Sequence, residues 1–278
     1  MPELPEVERG RKIAESVALG RRIKRVQCHE DEIVFQGVAP SDFAAALKGK
    51  TVLAVKRRGK QIWFELDRAP HPLFHFGMTG AFYSPTSEHL KLATGPRTLS
   101  GDWPPRFWKI LIEFDDGGEL CMTNARRLGR ILLREEPETS PPISKLGFDP
   151  LIDMPTPKEF EALLRHRKAR IKAVLLDQSF CAGIGNWIAD EILYQAKIAP
   201  LRLACDLDVA EVSALRSRLK TIVDRTVAVD ADKSRLPKSW LFHRRWGKKT
   251  GTKTLDGLAI EHLDVGGRTT AWVPKRQR

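Results

Sequence analysis

The hydrophobic pattern of this chain changes at a proline-rich segment, and this change constrains the fold more than any other feature. Up to about residue 135 the apolar residues form short runs typical of strands, whereas beyond residue 157 they recur at helical spacing. Between Glu136 and Pro157 the chain carries six prolines and little periodicity, as a linker does. The sequence therefore predicts a β-rich half followed by a helical half.

The first half is predicted to be a β-sandwich with a leading helix. Pro5 and the acids that follow it suit the first turn of a helix over residues 5–18. Many short runs rich in Val, Ile, Phe and Trp come next, and Asp115–Gly118 favours a hairpin turn between two of them. Residues 85–107 break this pattern and are interpreted as a surface insertion. The predicted strands cover residues 22–28, 32–38, 51–57, 61–67, 72–83, 108–114, 119–123 and 129–134.

Helical periodicity in the second half predicts two longer helices and a short one between them. The first covers residues 157–177, and the last contains Val209–Val223 with Asp206 or Asp208 as its N-cap. The short helix covers residues 186–196. The predicted division of the chain is 1–135 for the sandwich, 136–157 for the linker, 158–230 for the helical domain and 231–278 for a basic, aromatic C-terminal segment.

Charge and cysteine usage narrow the function classes. The net charge is +12, and residues 231–278 hold 12 Lys/Arg against 4 Asp/Glu, which places +8 of it there. Four large aromatic residues lie among these charges, which favours a folded surface that contacts phosphates over a solvated basic tail. The four widely spaced cysteines indicate neither a disulfide framework nor a cysteine-built zinc site. With no long apolar run and no leader-like start, we expect a cytosolic or nuclear protein.

The Pro2–Glu3 pair is the first candidate for chemistry. Once Met1 is removed, Pro2 carries a secondary amine with a pKa of about 8, so that a useful fraction is neutral and nucleophilic near neutral pH. Such an amine forms a charged iminium with a carbonyl-level carbon, and Glu3 beside it could act as general acid or base. The residue preferences of an ordinary helix N-terminus explain the same two residues. The pair alone does not decide between these alternatives.

Several turns carry residues of the kind that bind nucleic acid. Ala182–Asn186 places two glycines and an asparagine between predicted helices, where backbone N–H groups offer a phosphate site, although a glycine-rich helix C-cap explains it equally well. Arg57–Lys60 and Asn124–Arg130 lie at strand boundaries, and His75–Gly80 holds Met78 between glycines. Singly these are solvated charges or a core methionine. Together they suit a groove that contacts phosphates and inserts wedges into a base stack.

Five motifs, in order along the chain, resemble those of the formamidopyrimidine-DNA glycosylase/endonuclease VIII family. They are PELPEVE at residues 2–8, RRGK, HFGMTG, RRLGR and GIGNWIADEILYQAKIAP. The resemblance runs from residue 2 to about residue 273, and the first and last motifs are the most specific. It implies an α+β fold in which an N-terminal β-sandwich with a leading helix precedes a helical helix-two-turn-helix domain that ends in a β-hairpin zincless finger.

The same resemblance implies a bifunctional DNA glycosylase and abasic-site (AP) lyase of base excision repair. In the family the N-terminal proline attacks the sugar C1′ of a damaged nucleotide, and both flanking phosphates are eliminated afterwards without a metal or nucleotide cofactor. Pro2 matches this nucleophile, and Glu3 matches the acid that protonates the ribose ring oxygen. Glu6 matches a second acid near the site, and Lys60 matches a lysine that binds phosphate beside the lesion.

Further residues match the DNA contacts of the family. Met78, Arg126 and Leu128 match the three side chains that fill the space left by the flipped nucleotide. Leucine replaces the phenylalanine usual in bacterial members, so the preferred opposite base is not predicted. Lys172 and Asn186 match phosphate contacts around the helix-two-turn-helix element.

The C-terminal segment departs from the four-cysteine zinc finger with which most family members end. No cysteine follows Cys205, and the two histidines of the segment are too few for a zinc site. Gly247–Lys249 and Ile260–Pro274 nevertheless resemble the zincless finger of plant, fungal and some animal members, with Arg268 as the phosphate ligand. No metal and no cofactor are therefore expected.

These matches set the remaining expectations. The partner is double-stranded DNA with oxidised bases or abasic sites, bound by a monomer in the nucleus of a eukaryote, without membrane association. Formamidopyrimidines, hydantoin-type guanine lesions and abasic sites are expected to be better substrates than 8-oxoguanine, because Asp230–Ser239 does not resemble the bacterial capping loop. The alternative is a non-catalytic damaged-DNA- or RNA-binding protein with the same basic groove. Pro2–Glu3 distinguishes the two, since binding alone does not require this pair.

Overall fold

The computed structural model describes residues 2–87, 102–247 and 251–278. Residues 88–101 of the predicted insertion, and Lys248 and Lys249 of the predicted finger, lie outside the described residues. The chain divides into two compact units, Met1–Lys145 and Leu146–Arg278, and the break between them falls within the predicted linker. The four-part division of the chain stays a prediction.

The first unit is a sandwich of two four-stranded antiparallel sheets with a helix at its start. Its elements are α1 (Leu4–Ala18), β1 (Ile23–Cys28), α2 (Pro40–Leu47), β2 (Val52–Arg58), β3 (Gln61–Leu66), β4 (His71–His75), β5 (Ala81–Tyr83), β6 (Trp108–Phe114), β7 (Glu119–Thr123) and β8 (Arg130–Arg134). One sheet has the strand order β1-β6-β7-β5, and the other has the order β2-β3-β4-β8. The structure thus confirms the predicted sandwich and leading helix.

Helix α1 packs tightly against both sheets because one of its core positions has no side chain. Val7, Ala14 and Val17 join the core between the sheets, and α1 contacts β2, β3, β5 and β7. A Cβ atom at Gly10 would lie only 2.6 Å from the ring of Phe76. The glycine therefore permits a close contact between α1 and the turn that follows β4.

Two of the strands predicted in this unit are wrong. Residues 32–38 form no strand: residues 32–34 turn, because the carbonyl oxygen of Asp31 accepts the backbone N–H groups of Val34 and Phe35, and Phe35 makes only an isolated bridge with Ile131. Residues 72–83 divide into β4 and β5, because the chain turns at Gly77, which has a left-handed φ of 61°. Helix α2 was not predicted, since its short length shows little of the helical period.

Within its described residues, the second unit packs four α-helices, three short 3-10 helices and a β-hairpin. Its elements are α3 (Pro157–Arg165), α4 (Ile171–Leu176), α5 (Asn186–Ala196), α6 (Val209–Ala228), β9 (Glu261–Val265) and β10 (Arg268–Trp272). Helix α5 is central, since it contacts α4, α6 and β10. In the part of the chain that the structure describes, no helix has both the length and the apolar character needed to cross a membrane.

The single helix predicted over residues 157–177 is wrong, because the chain leaves helical geometry between α3 and α4. Arg170 is extended, with φ −59° and ψ 135°, and forms a bridge with Leu203. The backbone N–H of Ile171 donates to the carbonyl oxygen of Arg202 at 2.7 Å. This pairing with a distant segment outweighs local helix propensity, which is a weak determinant.

Candidate active site

The start of α1 brings three candidate residues together. Pro2 is buried, and Glu3 and Glu6 are only 1% and 8% exposed. Glu3 is the N-cap of α1, and its backbone N–H donates to Oε2 of Glu6 at 3.0 Å, while its carboxylate accepts the backbone N–H of Glu6. This reciprocal capping box fixes both carboxyl groups next to the residue that follows Met1.

Burial changes the acidity of Glu6. Loss of solvation, together with the negative charge of Glu3, raises the pKa of Glu6 to about 7. Glu6 therefore exchanges its proton near neutral pH, as a general acid–base group does. The residue types alone did not reveal this, because an acid in the first turn of a helix is usually exposed.

A buried ion pair fixes the turn that contains Lys60. Arg57, at the end of β2, donates to Oε2 of Glu8 at 2.8 Å and to the carbonyl oxygen of Gly59 at 2.9 Å. Arg11 donates to the other carboxylate oxygen of Glu8 at 2.9 Å. Since Glu8 and Arg11 belong to α1, the network ties the β2–β3 turn to the helix that starts at the capping box. Lys60 belongs to this turn and is half-buried.

His75, the last residue of β4, is a further polar residue near Lys60, and no role was predicted for it. Burial, together with the charges of Lys60 and Arg130, lowers the pKa of His75 to about 4. Its Nδ1 accepts the backbone N–H of Gly77 at 3.3 Å, which leaves the proton of the neutral ring on Nε2. His75 is therefore a neutral hydrogen-bond donor close to the cation of Lys60.

One fully buried side chain, Asn124, joins the two turns that carry Met78 and Leu128. Its Nδ2 donates to the carbonyl oxygen of Phe76 at 2.9 Å. Its Oδ1 accepts the backbone N–H groups of Leu128 and Gly129 at 3.0 and 3.1 Å. The amide thus replaces the ladder hydrogen bonds that two turns cannot make with each other.

The two turns also touch directly. A Cβ atom at Gly77 would lie 2.4 Å from the backbone of Leu128, and the backbone N–H of Arg126 donates to Oγ1 of Thr79 at 3.3 Å. Leu128 is 43% exposed, Arg126 is exposed, and Met78 is half-buried. The structure therefore brings the three predicted void-filling residues onto one surface, which the two turns form together.

Arg127 lies between two of these residues but points to a buried acid. Its Nε and Nη2 donate to the carboxylate of Asp31 at 3.0 Å, and Nζ of Lys109 lies 2.7 Å from the same group. Burial acts to raise the pKa of Asp31, but hydrogen bonds from Arg127 and Lys109 lower it to about 2. Asp31 was not predicted from the sequence. Its ion pair with Arg127 fixes the second turn.

In the second unit, one hydrogen bond joins the start of α5 to the hairpin. Nδ2 of Asn186, the first residue of α5, donates to the carbonyl oxygen of Thr269 at 2.8 Å. Thr269 follows Arg268, which is exposed and comes directly after the hairpin tip Gly266–Gly267. Within the described residues, Oδ1 of Asn186 is buried without a hydrogen-bond partner. The structure therefore brings Asn186 and Arg268 close together.

Lys172 does not have the exposed position expected of a phosphate contact. Its side chain is fully buried, forms an ion pair with Asp190, and donates to the carbonyl oxygen of Asn186 at 3.3 Å. Asp190 also accepts from Nη2 of Arg245 at 2.5 Å and from the backbone N–H of Ala271 at 3.1 Å. Lys172 therefore supports the start of α5 from inside the unit.

The residues present do not fit the zinc of a four-cysteine finger. Among the described residues, no group of three or more His, Cys, Asp or Glu side chains could hold a metal ion. All four cysteines are free thiols, and none of them follows Cys205. The hairpin of the second unit must therefore be held by other contacts.

Both units match models of one protein family. Residues 1–131 match the formamidopyrimidine-DNA glycosylase N-terminal domain, and residues 146–238 match the formamidopyrimidine-DNA glycosylase H2TH domain, the helix-two-turn-helix element. Together these matches cover most of the chain.

Relatives and solved structures agree with the family models. The formamidopyrimidine-DNA glycosylase of Arabidopsis thaliana is 44% identical over 278 residues, which cover 100% of this chain and 71% of that protein. The one of Halalkalibacterium halodurans is 32% identical over 97% of each chain. The Lactococcus lactis enzyme, solved non-covalently bound to AP-site-containing DNA, superposes with a TM-score of 0.80 at 25% identity over 99% of each chain. MutM in complex with carbocyclic 8-oxo-G-containing DNA gives a TM-score of 0.80 at 26% identity over 100% of each chain. The chain belongs to the formamidopyrimidine-DNA glycosylase family.

Proposed function

We propose that the chain is a monomeric bifunctional DNA glycosylase and AP lyase that removes oxidised bases from double-stranded DNA, with Pro2 as its nucleophile. The observation that carries this proposal is the buried capping box, which holds Glu3 and the proton-exchanging Glu6 beside Pro2. A protein that only binds nucleic acid requires neither a proline at this position nor a buried acid next to it. The 44% identity to a glycosylase over the whole chain supports the same activity.

The proposed chemistry starts from Pro2 after the removal of Met1. The lone pair of its nitrogen forms a bond to C1′, and the damaged base leaves with the electrons of the N-glycosidic bond and takes a proton from water. The carboxylate of Glu3 takes up the N–H proton that the Pro2 nitrogen loses. We assign to Glu3 the protonation of the ribose ring oxygen, O4′, which breaks the C1′–O4′ bond as the iminium forms. The iminium acidifies the C2′ proton, and the loss of this proton expels the 3′ phosphate. A second elimination through the opened sugar expels the 5′ phosphate.

We assign the other candidate residues to DNA contacts and their support. In the first unit, Lys60 binds a phosphate beside the lesion, with the neutral donor His75 next to it. The paired turns fill the space left by the flipped nucleotide. In the second unit, Lys172 positions the start of α5. The proposed void-filling residues are Met78, Arg126 and Leu128, and the proposed phosphate ligands of the second unit are Asn186 and Arg268.

Borohydride trapping tests the enzyme proposal. The chain with a free Pro2 amine should form a covalent adduct with abasic-site DNA in the presence of borohydride, because the reductant fixes the iminium. Pro2→Gly should weaken or abolish the adduct, and a chain that retains Met1 should not form it. Glu15→Gln, on the same helix but outside the capping box, is the matched control and should trap normally. A chain with a free Pro2 that binds the DNA but does not trap would establish the non-catalytic alternative instead.

We further propose that formamidopyrimidines, hydantoin-type lesions and abasic sites are better substrates than 8-oxoguanine. In bacterial members, the recognition of 8-oxoguanine depends on a capping loop. The charged stretch Asp230–Ser239 does not resemble that loop. Single-turnover rates on matched duplexes, each with one lesion, test this ranking. A faster rate on 8-oxoguanine than on formamidopyrimidine would contradict it.

We propose a nuclear location, because the proposed substrate is chromosomal DNA and a relative over the whole chain comes from a plant. A fluorescent protein fused to the C-terminus, which leaves Pro2 free, should accumulate in the nuclei of plant cells. Exclusion of the fusion from nuclei would contradict the proposal.

A further inference from the structure

We propose that the ion pair of Asp256 and Arg276 closes the base of the C-terminal hairpin and so positions Arg268 for its phosphate. In this role the pair, which we name the hairpin latch, takes the place of the cross-link that zinc provides in a four-cysteine finger. The inference rests on the DNA binding proposed above. It starts from the disagreement between a family that usually carries this metal and a chain whose residues do not fit it.

The two residues of the latch flank the hairpin on opposite sides. Asp256 precedes β9, Arg276 follows β10, and Nη2 of Arg276 pairs with Oδ2 of Asp256. Nη1 of Arg276 donates to the hydroxyl oxygen of Tyr194 on α5 at 2.5 Å, and its guanidinium lies 4.9 Å from the centre of the Tyr194 ring. One guanidinium therefore joins both flanks of the hairpin to the helix that starts at Asn186.

Apart from the latch, the polar contacts of each flank do not join it to the other flank. After β10, Nε2 of Gln277 donates to the carbonyl oxygen of Ile198 at 3.0 Å, which fixes that flank to the end of α5. Before β9, the chain forms a turn of its own, in which the backbone N–H of Leu258 donates to Oγ1 of Thr254 at 2.9 Å. The latch is the only ion pair between the two flanks within residues 251–278.

The anchoring of the two strands explains why the latch matters for the tip. Strand β10 is bound to α5 through the carbonyl oxygen of Thr269 and the backbone N–H of Ala271. Strand β9 pairs with β10 in the sheet, Nε2 of its His262 lies 3.3 Å from the carbonyl oxygen of Arg245, and its further polar support comes through its flank. The turn Gly266–Gly267 connects the strands, so the position of β9 influences the turn from which Arg268 emerges.

The latch acts on position and not on the stability of the fold. Exposed ion pairs contribute little to stability, and both residues of the latch are partly exposed. The hairpin is stabilised instead by an apolar cluster of Tyr194, Leu241, Ile260, Ala271 and Val273. A guanidinium that stacks on a tyrosine ring and pairs with a carboxylate has a fixed plane and direction, which a general charge attraction does not provide.

Asp256→Asn gives a test in which the latch and simple electrostatics predict opposite signs. The removal of an acid from a DNA-binding surface should strengthen binding if only net charge matters. If the latch positions Arg268, the variant should instead bind a duplex with one abasic-site analogue about three- to fivefold more weakly. Asp264→Asn is the matched control, because it removes an exposed acid from β9 and should bind as tightly as the wild type or more tightly.

A double-mutant cycle with Arg268→Ala assigns the loss to this arginine. In the Arg268→Ala background, Asp256→Asn should cause no further weakening of DNA binding. In the wild-type background, the same substitution should lower the salt slope of binding by up to about 0.9, the value of one phosphate contact. Asp256→Glu should restore most of the affinity. The melting temperature of each variant should match that of the wild type.

Binding by Asp256→Asn at wild-type strength or tighter would overturn the latch, as would an equal loss in the Arg268→Ala background. A lowered melting temperature would assign the effect to folding and would overturn it as well. Because the duplex carries an uncleavable analogue, none of these outcomes depends on catalysis. Borohydride trapping by the wild type decides the proposed function separately.

Discussion

Nδ2 of Asn124 lies 2.9 Å from the carbonyl oxygen of Phe76, and this hydrogen bond joins two turns that are 48 residues apart in the chain. The Oδ1 atom of the same amide accepts two backbone N–H groups from the second turn. Since the side chain is fully buried, water cannot replace any of these bonds when the amide is removed. The surface that carries the proposed void-filling residues therefore depends on a residue that does not reach DNA.

Asn124→Ala should lower the free energy of unfolding substantially. It leaves the buried carbonyl oxygen of Phe76, the buried N–H of Gly129 and the part-buried N–H of Leu128 without partners, and each buried group without a partner costs about 1–3 kcal/mol. Urea unfolding of the whole chain measures the loss. Arg126→Ala, an exposed residue of the same turn, is the control and should change the free energy of unfolding by less than about 0.5 kcal/mol. An equally small effect of Asn124→Ala would show that the turns pair without the amide.

Gly77→Ala should displace the second turn, because its Cβ would lie 2.4 Å from the backbone of Leu128. Excision of a damaged base, which requires the space of the flipped nucleotide to be filled, should slow more than strand cleavage at a preformed abasic site. Gly117→Ala is a closely matched control, since Gly117 also has a positive φ but a Cβ there meets nothing within 4 Å. Equal slowing of both reactions by Gly77→Ala would assign its effect to general instability.

Lys172→Met should destabilise the second unit and should not act like the loss of an exposed phosphate contact. The substitution removes one partner of the buried Asp190 carboxylate, and breaking a buried ion pair in this way costs about 3–5 kcal/mol. Lys168→Met, at an exposed lysine nearby, should change the stability by less than about 0.5 kcal/mol. Urea unfolding and the salt slope of DNA binding separate the two roles. A lower salt slope of DNA binding at unchanged stability would show instead that Lys172 contacts a phosphate directly.

The stability of the first unit should fall as the pH rises between about 4.5 and about 7 through the contribution of Glu6. Its pKa is raised from 4.5 to about 7, so in this window the folded chain holds a proton that the unfolded chain has already released. The raised pKa corresponds to at most about 3 kcal/mol at the upper end of the window. Urea unfolding at several pH values should show a flatter slope for Glu6→Gln than for the wild type. Burial also raises the pKa of Glu191 to about 7 and lowers that of His75 to about 4, and His75 contributes with the opposite sign in this window. The difference in slope between the wild type and Glu6→Gln therefore measures the contribution of Glu6.

The strands were predictable from the sequence where their neighbours in the sheet are close along the chain. The predicted bounds of β6 and β7 agree with the structure, because a short hairpin turn at Asp115–Gly118 joins two clear apolar runs. The break between α3 and α4 was not predictable, because it depends on pairing between Arg170 and Leu203. Local residue types carry no information on such a partner.

The candidate site was likewise predictable from the sequence only in part. The motifs identified Pro2, Glu3 and Lys60, because their residue types and positions match the family. The burial that raises the pKa of Glu6, and the ion pair that buries Lys172, arise only when distant segments fold together. By its position in the sequence Lys172 thus matches a phosphate contact, although its side chain neutralises an internal acid. Charge alone does not distinguish these two roles.

The contact of Gly10 with Phe76 has a consequence for motion and for sequence change. Because the Phe76 ring packs directly on the backbone of helix α1 at Gly10, the helix that carries the proposed nucleophile cannot slide over the turn that carries Met78 without disturbing a close-packed core. Within this unit, we therefore expect the proposed nucleophile Pro2 and the proposed void-filling Met78 to move together. For the same reason positions 10 and 76 cannot vary independently, since any larger residue at the first requires a smaller one at the second.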